Sequence, residues 1–156
     1  MSSVSRRCSR QRSLNTAELH GGLRAPTTAL YVCAPWIHLI FDGLKTWEIR
    51  SRPCKKRGRV ALALPKSSTV IGDVLIVDCV EIYRSDFTAH EDKHCVTAKD
   101  ATSVLKDCDC IYAWHLAKPR RYASPVAFRL KPGQVVWIDL RDQQHELQLA
   151  VIAPES

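Results

Sequence analysis

At 156 residues with an apolar share of 46%, the chain is long enough for one domain with a real core, and it holds no apolar run near the roughly 20 residues a bilayer-spanning helix needs. That excludes an ordinary transmembrane anchor. The net charge is +7, but residues 1–27 carry five arginines against Glu18, a charge of +4, which leaves +3 for the rest; a polyanion is a reasonable partner that charge alone does not demand.

In chain order, residues 1–27 are rich in Ser and Arg and lack periodic apolar positions, so they read as a disordered basic leader. The same composition fits an organelle transit peptide. The expected location is therefore intracellular and cytoplasmic, with organelle import as the alternative. Seven cysteines, an odd number without a secretory leader, argue for reduced thiols. Cys108-Asp109-Cys110 is the one close pair and lacks the second pair of a zinc site.

Residues 29–34 predict a first strand. Pro35 suits the first position of a helix over 35–43 that Gly43 ends. From Thr46 to Arg50 apolar residues alternate with polar ones, which predicts a second strand with Glu48 and Arg50 on one face and Trp47 and Ile49 on the other. Lys45 then stands at the strand's mouth, within reach of Glu48. The trio reads either as a surface ion-pair ladder or as a polar site that holds a ligand or shifts a proton equilibrium.

Arg50, Arg52, Lys55, Lys56, Arg57 and Arg59 put six basic residues within ten. They form either a solvated loop or a phosphate-contacting one. Val60–Leu64 predicts a third strand, Val70–Asp73 a turn, and Val74–Tyr83 a fourth strand buried on both faces at its start. Residues 84–109 mix acids, histidines and lysines, with one helical turn near 102–106. They read as an insertion over one end of the domain, either a lid or plain surface. Within it, His90-Glu91-Asp92-Lys93-His94 meets the spacing of a zinc-protease helix, but its flanks are short and polar. Ile111–Leu116 predicts a fifth strand, Lys118–Tyr122 a basic turn, Val126–Leu130 another strand, and Val135–Leu140 the last. Residues 143–156 are expected to be a tail with at most a short strand. Short strands broken by Gly and Pro, with one early helix, predict an α+β, mainly β chain built as a small barrel of about six strands.

Gly43, Lys45, Glu48 and Arg50 reproduce a G-x-K-x-x-E-x-R pattern. Pro35-Trp36 precedes it, Arg57–Leu62 and Gly72–Val74 follow, and Tyr112–Leu116, Pro119–Arg121, Pro125 and Gly133–Trp137 complete the likeness. From about Tyr31 to Leu140 the chain thereby resembles the ASCH domains (activating-signal-cointegrator homology), a branch of the PUA-like β-barrels. The resemblance implies a domain over residues 28–142 that binds RNA or a modified nucleoside in a cleft bordered by helix and strand. Trp36, Lys45, Glu48 and Arg50 would line that cleft. Trp36 or Trp114 would stack on a base, Glu48 would accept from a base edge, and Arg50 with Arg52, Lys55, Lys56 and Arg57 would hold phosphates. Lys66 and Ser67 would stand at the rim. No metal, cofactor or membrane partner is implied, and a monomer is expected. Some similar proteins are amidohydrolases of N4-acetylcytidine that use a Lys, a Thr three residues later and a distant Glu. Lys45 matches that Lys, Glu48 replaces the Thr, and Glu91 is the one acid on offer for the third role, so Lys45 and Glu48 are catalytic only if the chain is such a hydrolase. The resemblance also leaves room for ribonuclease activity and for a coactivator-type interaction role.

Overall fold

The computed structural model describes residues 24–106 and 108–153. Among the described residues six strands form one mixed sheet in the order β2-β5-β4-β3-β1-β6. They are β1 (Thr28–Tyr31), β2 (Trp47–Arg50), β3 (Gly58–Leu64), β4 (Thr69–Tyr83), β5 (Cys110–Ala127) and β6 (Trp137–Asp139). β1 runs parallel to β3, and the other pairings are antiparallel. The helices are α1 (Trp36–Phe41), α2 (Glu91–His94), α3 (Ala98–Leu105) and α4 (Gln144–Ile152). The sheet is not closed by strand pairing, yet it curls. The ring of Trp114 on β5 stacks on Trp137 of β6 at 5.7 Å, although three strands separate them in the sheet order.

Side-chain size explains the two faces of the curl. On β1 and β3 the alanines 29, 61 and 63 alternate with Leu30, Val60 and Leu62. The large residues join Ile37 and Ile40 of α1 in one core. The alanines leave room for α4, whose Leu147 is fully buried against them with Ile138 and Leu140. A third cluster, with Ile49, Val80, Ile82, Ile111 and Ala113 from the sheet, is covered by Phe87, Val96 and Leu105 from residues 84–105. That segment is two short 3₁₀ turns followed by α2 and α3.

The mainly β architecture, the count of about six strands and the helix after β1 agree with the sequence expectation, whereas the expected barrel is an open, curled sheet whose edge strands β2 and β6 do not pair, and α1 ends as predicted with Gly43 at φ 77°. Four local expectations need correction. The strand expected over Val126–Leu130 is not a separate one, because β5 runs on to Ala127 and residues 128–130 belong to no strand. The turn placed at Val70–Asp73 is strand, because β4 begins at Thr69. There Gly72 is required: a Cβ would collide with the Phe41 ring and the Arg120 carbonyl. The basic turn at Lys118–Tyr122 does not exist. β5 passes through it with register shifts against β4, and Lys118 at φ 48° absorbs the irregularity, a bulge that also accommodates Pro119. Residues 144–152, expected as a short strand or tail, are helical.

The leader lies mostly outside the described residues. Of its described end, Ala25 donates its N–H to Gln148 Oε1 at 2.9 Å, and Pro26 accepts from Gln144 at 3.0 Å. Both contacts tie it to α4.

One buried charge cluster pins β3, β4 and β5 together. Asp73 is wholly inaccessible. Its carboxylate accepts from Arg59, from Arg120 Nε at 2.9 Å and Nη2 at 2.8 Å, and from the Tyr122 hydroxyl at 2.7 Å. Burial and the adjacent carboxylate push the Tyr122 hydroxyl far above the usual phenol range. No helix among the described residues is long and apolar enough to cross a membrane.

Candidate functional site

A groove of about 710 Å³ opens beside β2. Trp36 at the start of α1, the turn residue Lys45, and Glu48, Ile49 and Arg50 of β2 line one side. Tyr31, Val32 and Cys33 follow β1 into it. Val96, Ser103, Val104 and Lys106 enter from the 84–109 segment, and Leu130, Gln134 and Val135 from the loop between β5 and β6.

Lys45 has only 2% of its surface exposed. Its ammonium donates to the backbone carbonyls of Trp47 at 2.6 Å and His94 at 2.7 Å, and lies 3.5 Å from Glu48 Oε2. Three acceptors for three N–H groups is a satisfied lysine. Burial lowers its pKa, against the opposing pull of Glu48 and with a smaller push from Arg50. The bond to His94 also fastens the 84–109 segment to β2, and the backbone Thr46 N–H donates to Lys93 O at 2.9 Å beside it.

Glu48 is 8% exposed. Its Oε1 accepts from Arg50 Nε at 2.9 Å, and Arg50 Nη2 lies at the same distance. Arg50 Nη2 further donates to Tyr31 O at 2.5 Å. A side chain of the edge strand β2 thus bridges to β1 where no strand pairing exists. The guanidinium also sits 5.8 Å from the Trp114 ring centroid. The expected division of β2 into a Glu48–Arg50 face and a Trp47–Ile49 face holds. Ile49 joins the third core cluster with Trp47 against it, and Trp47 stacks on His115 at 4.7 Å.

His94 shows how the segment over the groove is held. Its Nδ1 accepts the Val96 N–H at 2.9 Å, so the proton belongs on Nε2, which donates to Phe87 O at 2.8 Å. Its ring stacks on Phe87 at 4.0 Å. Burial lowers its pKa, and Lys45 adds to that. Both nitrogens are therefore engaged within the fold and leave no lone pair for the metal that the His90–His94 spacing suggested. Among the described residues no group of three or more His, Cys, Asp and Glu is placed to hold a metal ion.

The remaining sequence candidates separate. Trp36 lines the groove and is half-buried. Trp114 does not line it: only 3% exposed, it packs between strands, donates Nε1–H to Arg52 O at 3.0 Å and stacks on Trp137. Between Arg50, which lines the groove, and Arg59, which pairs with Asp73, the basic run splits in two. Arg57 turns inward, donating to Cys54 O at 2.8 Å and Lys56 O at 2.9 Å and facing Asp78 at 3.7 Å. Arg52, Lys55 and Lys56 are exposed and lie outside the groove lining, with Lys56 Nζ 5.4 Å from the Trp137 ring centroid. Lys66 and Ser67 are exposed in the turn after Pro65, which lines the groove where they do not. Glu91 is exposed on α2 and does not reach it.

The sequence reading missed Tyr31, Cys33, Ser103, Lys106 and Gln134. The signal for Ser103 and Lys106 was the long 84–109 segment itself. For Gln134 there was only a tight turn at Pro132-Gly133.

The profile of the ASCH domain family matches residues 30–126. Among solved structures, the ASCH protein of Zymomonas mobilis is similar at a TM-score of 0.65 and 14% identity, over 82% of this chain and 96% of that one. A point-substituted form of that protein gives 0.63 and 15%, over 79% and 94%. At such identity the likeness concerns the fold. No curated protein matches the chain in sequence.

Proposed function

The chain belongs to the ASCH domain family, and from that membership together with the groove beside β2 we propose that it binds RNA or a modified nucleoside there. The observation that carries the reading is the composition of the groove. A nearly buried carboxylate, Glu48, is fixed between Lys45 and Arg50 within walls that include Trp36, Val104, Leu130 and Val135. A base needs apolar surface for its faces and fixed polar atoms for its edge. Trp36 supplies the ring for stacking, Glu48 the acceptor, and Lys106 a cation at the rim. Arg52, Lys55 and Lys56, exposed on the adjoining loop, supply phosphate contacts for a longer strand.

Catalysis is the second reading, and the lowered Lys45 pKa favours it. Against it stands the geometry. A nucleophilic lysine needs a lone pair, whereas this one donates to two carbonyls and faces a carboxylate. The groove holds Glu48 where the amidohydrolase pattern has Thr, and Glu91 lies away from it. A coactivator-type interaction role has no comparable feature behind it.

The test is a titration with a short single-stranded RNA, a structured RNA and N4-acetylcytidine at two salt concentrations, with nucleoside products followed by chromatography. Salt-sensitive binding without turnover is expected. Release of cytidine would move the assignment to the hydrolase, and absence of both binding and turnover would overturn the proposal in favour of an interaction role.

A further inference from the structure

One basic stretch of the sequence, Lys118–Tyr122, takes no part in lining the groove. β5 carries it past a bulge, and its side chains divide. Arg120 turns inward to Asp73, where it shares one buried carboxylate with Arg59 and leaves that cluster with a surplus positive charge. Arg121, the next residue, is exposed. It stands across the sheet from Gly72, whose missing Cβ is the space that the Phe41 ring fills. The Arg121 guanidinium lies over that ring, 4.7 Å from its centroid, and its Nη2 is 3.5 Å from His38 Nδ1.

Arg50, Arg57, Arg59, Arg120 and Arg141 each face a carboxylate. Arg121 faces none among the described residues, and Phe41 and His38, which hold it, carry no negative charge. Fixing a long side chain on a ligand costs rotamer freedom. Here the ring has already removed part of that cost. A guanidinium held in place with its charge not neutralised suits the paired oxygens of a phosphate.

We infer that Arg121, laid over Phe41, is a phosphate-binding site for the RNA strand that leaves the groove across α1. This rests on the nucleic-acid reading above and extends it to a second surface. Helical residues step by about 100°. With Ile37 and Ile40 facing the core, Trp36 falls on one flank of α1 and Phe41 on the other. Trp36 lines the groove, and Phe41 carries Arg121. A strand with a base beside Trp36 therefore reaches Arg121 by crossing one helix diameter, about 10–12 Å with side chains. The crossing takes more than a dinucleotide held in the groove, so only a longer strand makes the contact.

The test uses the full chain, a dinucleotide and a single-stranded RNA of about 12 nucleotides, within the usual range of strand-binding sites. Affinities are read by chemical-shift titration and fluorescence anisotropy, and folding is checked by thermal unfolding. Arg121→Met, which still covers Phe41 but carries no charge, should weaken the longer RNA about tenfold, the scale of one hydrogen bond to a charged group. It should lower the slope of log affinity against log salt by about 0.7 and leave the dinucleotide unchanged. Arg121→Lys should keep the slope and lose part of the affinity, because lysine retains the charge without the fork. Arg24→Gln, which removes an exposed arginine next to the residue that bonds α4, should leave both affinities unchanged. Trp36→Ala should weaken both RNAs. Undiminished binding of the longer RNA by Arg121→Met would overturn this inference and leave the groove reading standing. So would an equal loss in Arg24→Gln, or a loss in Arg121→Met that extends to the dinucleotide. If Trp36→Ala weakens neither RNA while Arg121→Met weakens the longer one, the groove reading fails and the phosphate contact stands. Absence of binding to both RNAs would overturn the nucleic-acid reading and this inference with it. If Arg121→Met does not fold, Arg121→Gln replaces it with the same outcomes.

Discussion

Replacing Lys45 by methionine keeps the aliphatic stem and removes the ammonium. The carbonyls of Trp47 and His94 then lose donors at 2.6 and 2.7 Å, and Glu48 loses one of its two cations. Charge-assisted hydrogen bonds contribute about 1.5–3 kcal/mol each, and breaking a buried ion pair from one side costs about 3–5 kcal/mol. Two terms pull the sum down. Arg50 still neutralises Glu48, and methionine needs no desolvation of a charge, a cost that the lowered Lys45 pKa makes visible. The expected loss is roughly 3 kcal/mol, or a fall in Tm of about 6–12 °C for a chain of this size. Urea unfolding at neutral pH measures it. Hydrogen exchange should show the amides of residues 91–96 opening first, because the Lys45–His94 bond fastens that segment. A loss under about 1 kcal/mol, well below the cost of breaking such a pair, or unchanged protection at 91–96, would refute the view that Lys45 is a structural clamp. The result also bears on activity: a Lys45 variant without function does not by itself make Lys45 catalytic.

Asp73→Ala removes the common acceptor of Arg59, Arg120 and Tyr122 and should cost about 3–5 kcal/mol in urea unfolding; Asp73→Asn, which keeps a carbonyl oxygen, should cost less, and an Ala variant of normal stability would contradict the cluster's role. His94 has a folded pKa below its ordinary 6.5, because burial and Lys45 disfavour the cation. The unfolded chain therefore takes up this proton first, so stability should fall as the pH drops below about 6.5. His94→Gln should flatten that part of a stability–pH profile, and an unchanged slope would remove His94 as its source. Joint replacement of Arg52, Lys55 and Lys56 by alanine should lower the slope of log affinity against log salt by about 2 for single-stranded RNA. An unaltered slope would make the loop plain solvated surface.

Much of the fold was legible because period-2 alternation is a local signal. The alternating β2 residues Trp47 to Arg50 divide as that pattern requires, and Gly43 stops α1 for the expected reason. What failed was punctuation. Pro119 and the basic residues around it look like a turn, but a bulge at Lys118 lets β5 continue. Gln144–Ile152 lacks a clean apolar stripe, and its helix is held by Leu147 docking on the alanine face of β1 and β3, a tertiary cause invisible in the segment.

The site divides along the same line. Lys45, Glu48 and Arg50 are close in sequence, so their meeting was readable. Their commitments were not, because the His94 and Tyr31 carbonyls that engage them lie 49 and 19 residues away. Likewise Trp114 reads in the sequence as a platform for a base, whereas Trp137 of β6, 23 residues on, already covers its ring.

The central claim is that a nucleic-acid base occupies the groove beside β2. Amide and indole chemical-shift mapping with a short single-stranded RNA tests it most directly. The account predicts shifts that converge from three separate segments: Tyr31–Trp36, Ser103–Lys106 and Gln134–Val135. Shifts confined to the exposed Arg52–Lys56 loop, or centred on the second cavity around Trp47, His90 and Lys93, would contradict it.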